Sequence, residues 1–252
     1  MEAHIMNDNK DLTIFLHVPK TGGTTLNSIF IRQYQESAFH NHDTYDRQII
    51  PLSELNQEQK AFIRAVAGHH YYGVHELFNK SFQYFTMLRH PVDRVLSLYF
   101  YLKESNYPGY EWMKEMTIEE FVQTPSEAQN NQTGLLCGYS MVPNVKIAKK
   151  RIDAFEIVGI TERFDESLFL LKKAFNWENI EYVKHNITKS RLSKREIPAE
   201  VISLILQNNE MDLEIYEYAR GLLERKLKLL SKQEKGELKH FLKTQNRKFS
   251  KE

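Results

Sequence analysis

The sequence predicts an α/β fold: a central parallel sheet of about five strands flanked by helices, followed by a long helical segment at the C-terminus. Three observations carry this reading. Two short apolar runs, residues 13–18 and 82–88, each end in a cation-bearing loop and continue with helical character. Other apolar runs of strand length alternate with stretches of helical period. From Pro198 onward the periodicity is helical throughout. With 252 residues, no internal repeat and no Gly/Ser-rich linker, the chain reads as a single domain over 1–252. Residues 1–11 form a loose terminus, and about 231–252 a charged helical tail that could serve as an oligomer contact.

The first strand spans 13–18 and feeds a helix beginning near Leu26, with Thr24 or Thr25 as its cap. His40, Asn41, His42 and Asp43 read as a polar loop, since no third ligand accompanies the two histidines. A helix follows Pro51 with Ser53 as N-cap. A second strand over 64–67 ends at Gly68 and puts His69 at a strand's C-terminal end, where ligands sit in open parallel sheets. The strand at 82–88 is the clearest of the set, and Pro91 suits the first turn of the helix after it. Thr117 and Glu120 form a capping box, and residues 130–138 read as a loop. A helix over 143–151, a strand over 155–160, an amphipathic helix from Thr161 to Leu171 and a last strand at 180–183 complete the α/β part. The loop at 185–195, rich in cations and hydroxyls, follows that strand and suits a phosphate clamp through Ser190 and Arg191.

Composition narrows the function. The net charge of +1 gives no bulk field for nucleic acid or an anionic membrane, so any anion site must be a local cluster of basic groups. The single cysteine, Cys137, precludes an intrachain disulfide and a cysteine zinc site. No apolar run reaches membrane-spanning length, and the polar N-terminus lacks a signal-peptide core. A cytoplasmic location is the expectation.

The chemistry concentrates in the loop from Pro19 to Thr25, Pro-Lys-Thr-Gly-Gly-Thr-Thr. A strand, a glycine-containing loop and a helix direct backbone N–H groups and a helix N-terminus at an anion. Gly22 and Gly23 allow close approach, Thr21, Thr24 and Thr25 offer hydroxyls, and Lys20 adds a point charge. The lysine precedes the glycines, so this is not a Walker A loop, G-x-x-x-x-G-K-[ST]. No strand-end aspartate stands ready for Mg²⁺. The second cationic turn runs from Arg89 to Arg94 (Arg-His-Pro-Val-Asp-Arg) and is followed by Ser97, which shares a helix face with Arg94.

These two motifs, in this order, resemble the phosphate-binding loops of PAPS-dependent sulfotransferases. Residues 19–25 are similar to the 5′-phosphosulfate loop, and Arg89 to Ser97 to the 3′-phosphate motif R-[DN]-P-x-x-R-x-x-S. Gly68-His69, residues 159–162 and the basic loop at 186–195 resemble the carbohydrate branch that includes heparan sulfate 2-O-sulfotransferase. The likeness runs over most of residues 12–220. It departs at His90, where the family has Asp or Asn, and at Ala67, where the heparan sulfate enzyme has another histidine.

The resemblance implies a P-loop-NTPase-like sulfotransferase fold and sulfuryl transfer from PAPS, with PAP as product and no metal, to an acceptor hydroxyl on a carbohydrate. It implies Lys20 at the bridging oxygen, Thr21, Gly22, Gly23, Thr24 and Thr25 around the 5′-phosphate, and Arg89 and Ser97 on the 3′-phosphate. His69 would be the base that takes the acceptor proton, a histidine being the side chain suited to that task at neutral pH. His70 and His75 read as structural, while Glu162 and Arg163 either line the cleft or do not. Tyr71, Tyr72, Tyr107, Tyr110 and Trp112 could stack on sugar faces or belong to the core. Two other readings use the same fold: a nucleotide kinase or NTPase, and a non-catalytic nucleotide-binding scaffold.

Overall fold

The computed structural model describes residues 12–41, 51–105, 109–124, 127–139, 141–183 and 196–249. Its strands are β1 (Leu12–Leu16), β2 (Ala38–Asn41), β3 (Ala65–Gly68), β4 (Phe82–Leu88) and β5 (Ile157–Ile160). They form one parallel sheet in the order β2-β3-β1-β4-β5. β1, β3 and β5 are buried along their whole length, as expected where helices cover both faces of a sheet. β1 is central, with β3 on one side and β4 on the other. Its last residue, Leu16, lies level with Gly68 and Thr86, and Leu88 lies level with Ile160. The loops that follow β1, β3, β4 and β5 therefore leave from one edge of the sheet, where ligands bind in open α/β folds.

The helices are α1 (Gly23–Tyr34), α2 (Gln57–Phe62), α3 (Pro91–Glu104), α4 (Ile118–Gln123), α5 (Asn131–Cys137), α6 (Val145–Asp153), α7 (Phe164–Phe175), α8 (Ala199–Gln207), α9 (Glu210–Leu229) and α10 (Lys232–Phe249). Local chemistry explains many of their ends. Pro91 opens α3 at a position whose N–H would lack a partner in any residue. Thr117 and Glu120 form the expected capping box of α4. α7 stops at Asn176, which takes a left-handed conformation at φ 52°. Ser231 and Glu234 exchange backbone and side-chain hydrogen bonds at the start of α10.

Two buried apolar clusters result. One joins the sheet to α1, α5, α6, α7 and α9 around Phe15, Phe30 and Phe85. The other joins α3, α4 and α8 around Val95, Leu96, Phe121 and Ile205. Each fully buried large side chain contributes roughly 1.5–3 kcal/mol of transfer free energy. α10 is docked rather than frayed: Phe241 meets Phe169 of α7 at 6.2 Å, and Lys173 pairs with Glu234 at 3.0 Å. Among the described residues no helix is long and apolar enough to cross a membrane.

Five local readings change. The fifth strand is residues 38–41, not 180–183, so His40 and Asn41 end an edge strand instead of lying in a loop. Residues 180–183 alternate between buried and exposed as a strand would, but the backbone of Glu181 pairs with side chains. Arg32 donates to the Glu181 carbonyl and Gln33 to that of Asn179, which leaves no ladder to join. Residues 130–138 contain helix α5 where a loop was expected. Asn56, not Ser53, caps the helix after Pro51, in a capping box with Gln59. Gly22 caps α1 in place of Thr24 or Thr25, which fall within its first turn.

Candidate active site

The loop after β1 turns at Lys20 and Gly22, both at positive φ (70° and 83°). Glycine accepts this freely; for lysine it is a sparsely populated conformation that surrounding contacts must enforce. Two contacts do so. The Arg89 guanidinium donates to the Lys20 carbonyl at 2.9 Å, and the Lys20 ammonium lies 3.6 Å from the centre of the Tyr101 ring. Gly23 has a different reason to be glycine. A Cβ there would stand 1.6 Å from His17 Nε2, because the His17 ring rests directly on it. No side chain caps the first turn of α1, whose N-terminus follows directly on this loop.

Thr21 lies inside the loop. Its side chain is wholly buried, and its hydroxyl donates to the Val18 carbonyl at 2.8 Å, so it shapes the loop from inside. Thr24 is exposed and Thr25 is nearly buried at the helix start. Thr161, just after β5, ties two loops together: its hydroxyl reaches the carbonyls of Thr21 (2.8 Å) and Leu88 (3.1 Å).

The turn after β4 is held from both sides. Glu162 accepts from the His90 N–H at 3.0 Å, and Gln132 contacts the backbone of Arg89. Glu162 thus supports this turn, whereas Arg163 faces away and pairs with Glu166 and Glu224. Arg94 is wholly buried and structural. Ser97 lies one turn further along α3 and is 8% exposed.

His69 follows Gly68 at the end of β3. A column of rings fixes this end of the sheet. Phe85 stacks on Phe15 at 4.8 Å, Phe15 on His17 at 5.2 Å, and His17 packs on His69 at 4.6 Å. His69 and the loop glycine Gly23 therefore lie against the same imidazole. His70 is a poorer base than its neighbour's position would suggest, because burial and then the adjacent His69 push it down to about 4. His75 is a structural residue, hydrogen-bonded to the Tyr84 hydroxyl at 2.9 Å.

Of the aromatic candidates, Tyr72 is half-buried and packs against the core, where its ring, Tyr84 and Phe155 all stack on one another. Tyr71 is exposed and meets the exposed Tyr139 edge-on at 5.4 Å, two residues beyond His69. Tyr110 and Trp112 stack on each other at 6.2 Å. Tyr107, His42, Asp43, Ser190 and Arg191 lie outside the described residues.

Three contributors escaped sequence reading. His17 had a signal, since it repeats the side of β1 that Phe15 faces, directly before the loop. Gln132 and Asp212, whose carboxylate accepts from the Gln132 N–H, had none, because their roles exist only through tertiary contact.

A family model described as "Sulfotransferase family" matches residues 3–219. The chain belongs to the sulfotransferase family. Among its relatives, heparan-sulfate 6-O-sulfotransferase 2 of Danio rerio is 24% identical over 298 residues, covering 94% of this chain and 63% of that protein. Heparan-sulfate 6-O-sulfotransferase 1 of Homo sapiens is 23% identical over 276 residues, covering 86% and 66%. Heparan-sulfate 6-O-sulfotransferase 2 of Gallus gallus is 25% identical over 287 residues, covering 90% and 70%. This sulfotransferase chain thus spans about two thirds of the length of these curated relatives. A solved structure, mouse sulfotransferase SULT7A1 complexed with PAP, is similar over 84% of this chain and 90% of that one, at 12% identity and a TM-score of 0.41.

Proposed function

We propose that this member of the sulfotransferase family transfers the sulfuryl group of PAPS to a carbohydrate hydroxyl. The observation that carries the reading is the convergence of loops on one sheet edge. The uncapped α1 N-terminus, the Arg89 guanidinium bonded to the Lys20 carbonyl, and His69 against His17 meet there. The residues fit a ligand phosphorylated at two ends. Gly22, Gly23, Thr24 and Thr25 supply backbone and hydroxyl donors for a 5′-phosphosulfate, with Gly23 kept free of any Cβ by His17. Arg89 supplies a two-pronged donor for a 3′-phosphate, assisted by Ser97.

PAPS supplies an activated sulfuryl group whose bridging oxygen leaves with PAP. Lys20 stabilises the negative charge that develops on that oxygen, and His69 takes the proton from the attacking acceptor hydroxyl. Tyr71 and Tyr139 offer ring faces to a sugar beside the base. The names of the relatives support a heparan-sulfate-type glycan and point to a 6-O-type branch, where the motifs resemble the branch that includes the 2-O enzyme.

Thermal melting with PAP, ADP and ATP–Mg²⁺ tests the donor assignment. A ligand at 100 times its Kd adds about 2.7 kcal/mol of stability, or roughly 5–10 °C for a chain of this size. PAP is expected to give that shift and the other nucleotides little. A larger shift with ATP–Mg²⁺ would instead support a kinase.

Lys20→Ala separates charge stabilisation from binding. Losing one donor aimed at a developing anion costs roughly 10²–10³ in kcat. We expect that loss in steady-state assays with PAPS, with the melting shift by PAP largely retained. Unchanged kcat with weakened PAP binding would reassign Lys20 to nucleotide binding alone.

A further inference from the structure

Arg89 belongs to the motif that points to the site, but its backbone is fixed by a residue from outside every loop at the sheet edge. Gln132, on α5 and wholly buried, presents both ends of its amide to Arg89. The Arg89 N–H donates to Gln132 Oε1 at 3.0 Å, and Gln132 Nε2 donates to the Arg89 carbonyl at 2.9 Å. One side chain therefore satisfies the N–H and the carbonyl of the residue that must aim a guanidinium. A buried backbone group left without a partner is costly, so the turn has a strong preference for this geometry.

Gln132 is itself held. Its N–H donates to Asp212 Oδ2 at 3.1 Å, and Thr133 donates to Asp212 Oδ1 through its N–H (2.8 Å) and its hydroxyl (2.7 Å). Asn130 and Asn209 lock the starts of α5 and α9 to each other, the Asn130 N–H reaching Asn209 Oδ1 at 2.9 Å and the Asp212 N–H reaching Asn130 Oδ1 at 3.1 Å. Gln132, Thr133, Asn209 and Asp212 are all 0% exposed. The path from α9 to Arg89 is thus a chain of direct hydrogen bonds without an exposed link.

We infer that Gln132 is a positioning residue for the second anion of the donor nucleotide, acting through Arg89. This rests on the reading of Arg89 as the ligand of a 3′-phosphate. The consequence is selective. The 5′ end of the nucleotide is held by the α1 N-terminus, which Gln132 does not touch. Removing the amide clamp weakens recognition of a nucleoside bisphosphate more than that of a nucleoside 5′-monophosphate, which meets Arg89 only indirectly, through its bond to the Lys20 carbonyl.

Isothermal titration of the full chain with PAP and with adenosine 5′-monophosphate tests this in the wild type, Gln132→Met and Gln132→Glu. Gln132→Met keeps the volume and removes both of the amide's hydrogen bonds to the Arg89 backbone. It should weaken PAP binding about tenfold or more and monophosphate binding several-fold less than that. Gln132→Glu keeps an acceptor for the Arg89 N–H but sets a buried carboxylate oxygen against the Arg89 carbonyl, so its loss should be at least as large. A melting curve for each variant confirms that it is folded. Equal weakening of both ligands would mean general damage and overturn the proposal, as would unchanged PAP affinity in Gln132→Met. A wild type that binds PAP no better than the monophosphate would overturn the reading of Arg89, and the proposal with it.

Discussion

His69→Ala is expected to lower single-turnover sulfuryl transfer by roughly 10²–10⁴-fold while PAP binding stays within about twofold of wild type. The expectation comes from position. β3 ends at Gly68, level with Leu16 at the end of β1, which places the next residue at the mouth shared with the phosphosulfate loop. The ring of His69 lies 4.6 Å from that of His17, which covers Gly23. The neighbouring His70 is not expected to compensate for the loss. With its proton affinity pushed down to about 4 by burial, it stays neutral yet too weakly basic to draw a proton from a sugar hydroxyl. His70→Ala should therefore leave transfer within a few-fold of wild type. The assay needs PAPS and a glycan acceptor in rapid mixing, so that chemistry is separated from product release. Turnover by His69→Ala close to that of wild type would remove the histidine base from the mechanism.

The parts of the site legible in the sequence are those built from consecutive residues. The loop from Pro19 to Thr25 declares itself because a strand, two glycines and a helix occur in immediate succession. Gly22 and Gly23 indeed prove necessary, one for its positive φ and one for the closeness of His17. The turn at Arg89–Pro91 is legible for the same reason. Strand β2 was not, because four residues that include His40 and Asn41 carry too little apolar pattern to outweigh a loop reading. Residues 180–183 erred in the other direction. Their alternation reports half-burial, and half-burial is satisfied here by side chains of α1 instead of a neighbouring strand. Helix α5 is seven residues long and contains Gly134, so its own propensity is weak. The carboxylate that organises its first turn lies 80 residues further along the chain. Fold class thus follows from local pattern, whereas the support behind Arg89 is a tertiary property that no window of sequence contains.

That support carries the largest expected stability effect, at Asp212. Its carboxylate is wholly buried, accepts three hydrogen bonds from Gln132 and Thr133, and stands 4.0 Å from Arg94 Nε, also wholly buried. Burial pushes the Arg94 guanidinium below the ordinary arginine range, and Asp212 and Glu127 act to raise it again. Arg94 also donates to the Glu127 carbonyl at 2.7 Å, a contact that does not balance its charge. Asp212→Ala would leave a buried cation facing a cavity and strip the first turn of α5 of its acceptors. Breaking one side of such a pair costs about 3–5 kcal/mol, which lowers the melting temperature by roughly 6–20 °C in a chain of this length. Two mechanisms contribute, and a double-mutant cycle separates them. If the orphaned charge dominates, Arg94→Met in the Asp212→Ala background should recover most of the loss, since an apolar pair often equals a buried ionic one. If the hydrogen bonds to α5 dominate, Arg94→Met should recover little, and Asp212→Asn, which keeps an acceptor for Thr133, should be milder than Asp212→Ala. The 4.0 Å separation is long for an ion pair, whereas the bonds from Thr133 at 2.7 and 2.8 Å are short and direct. On those distances the hydrogen bonds should account for the larger share, so the double variant is expected to recover less than half of the loss.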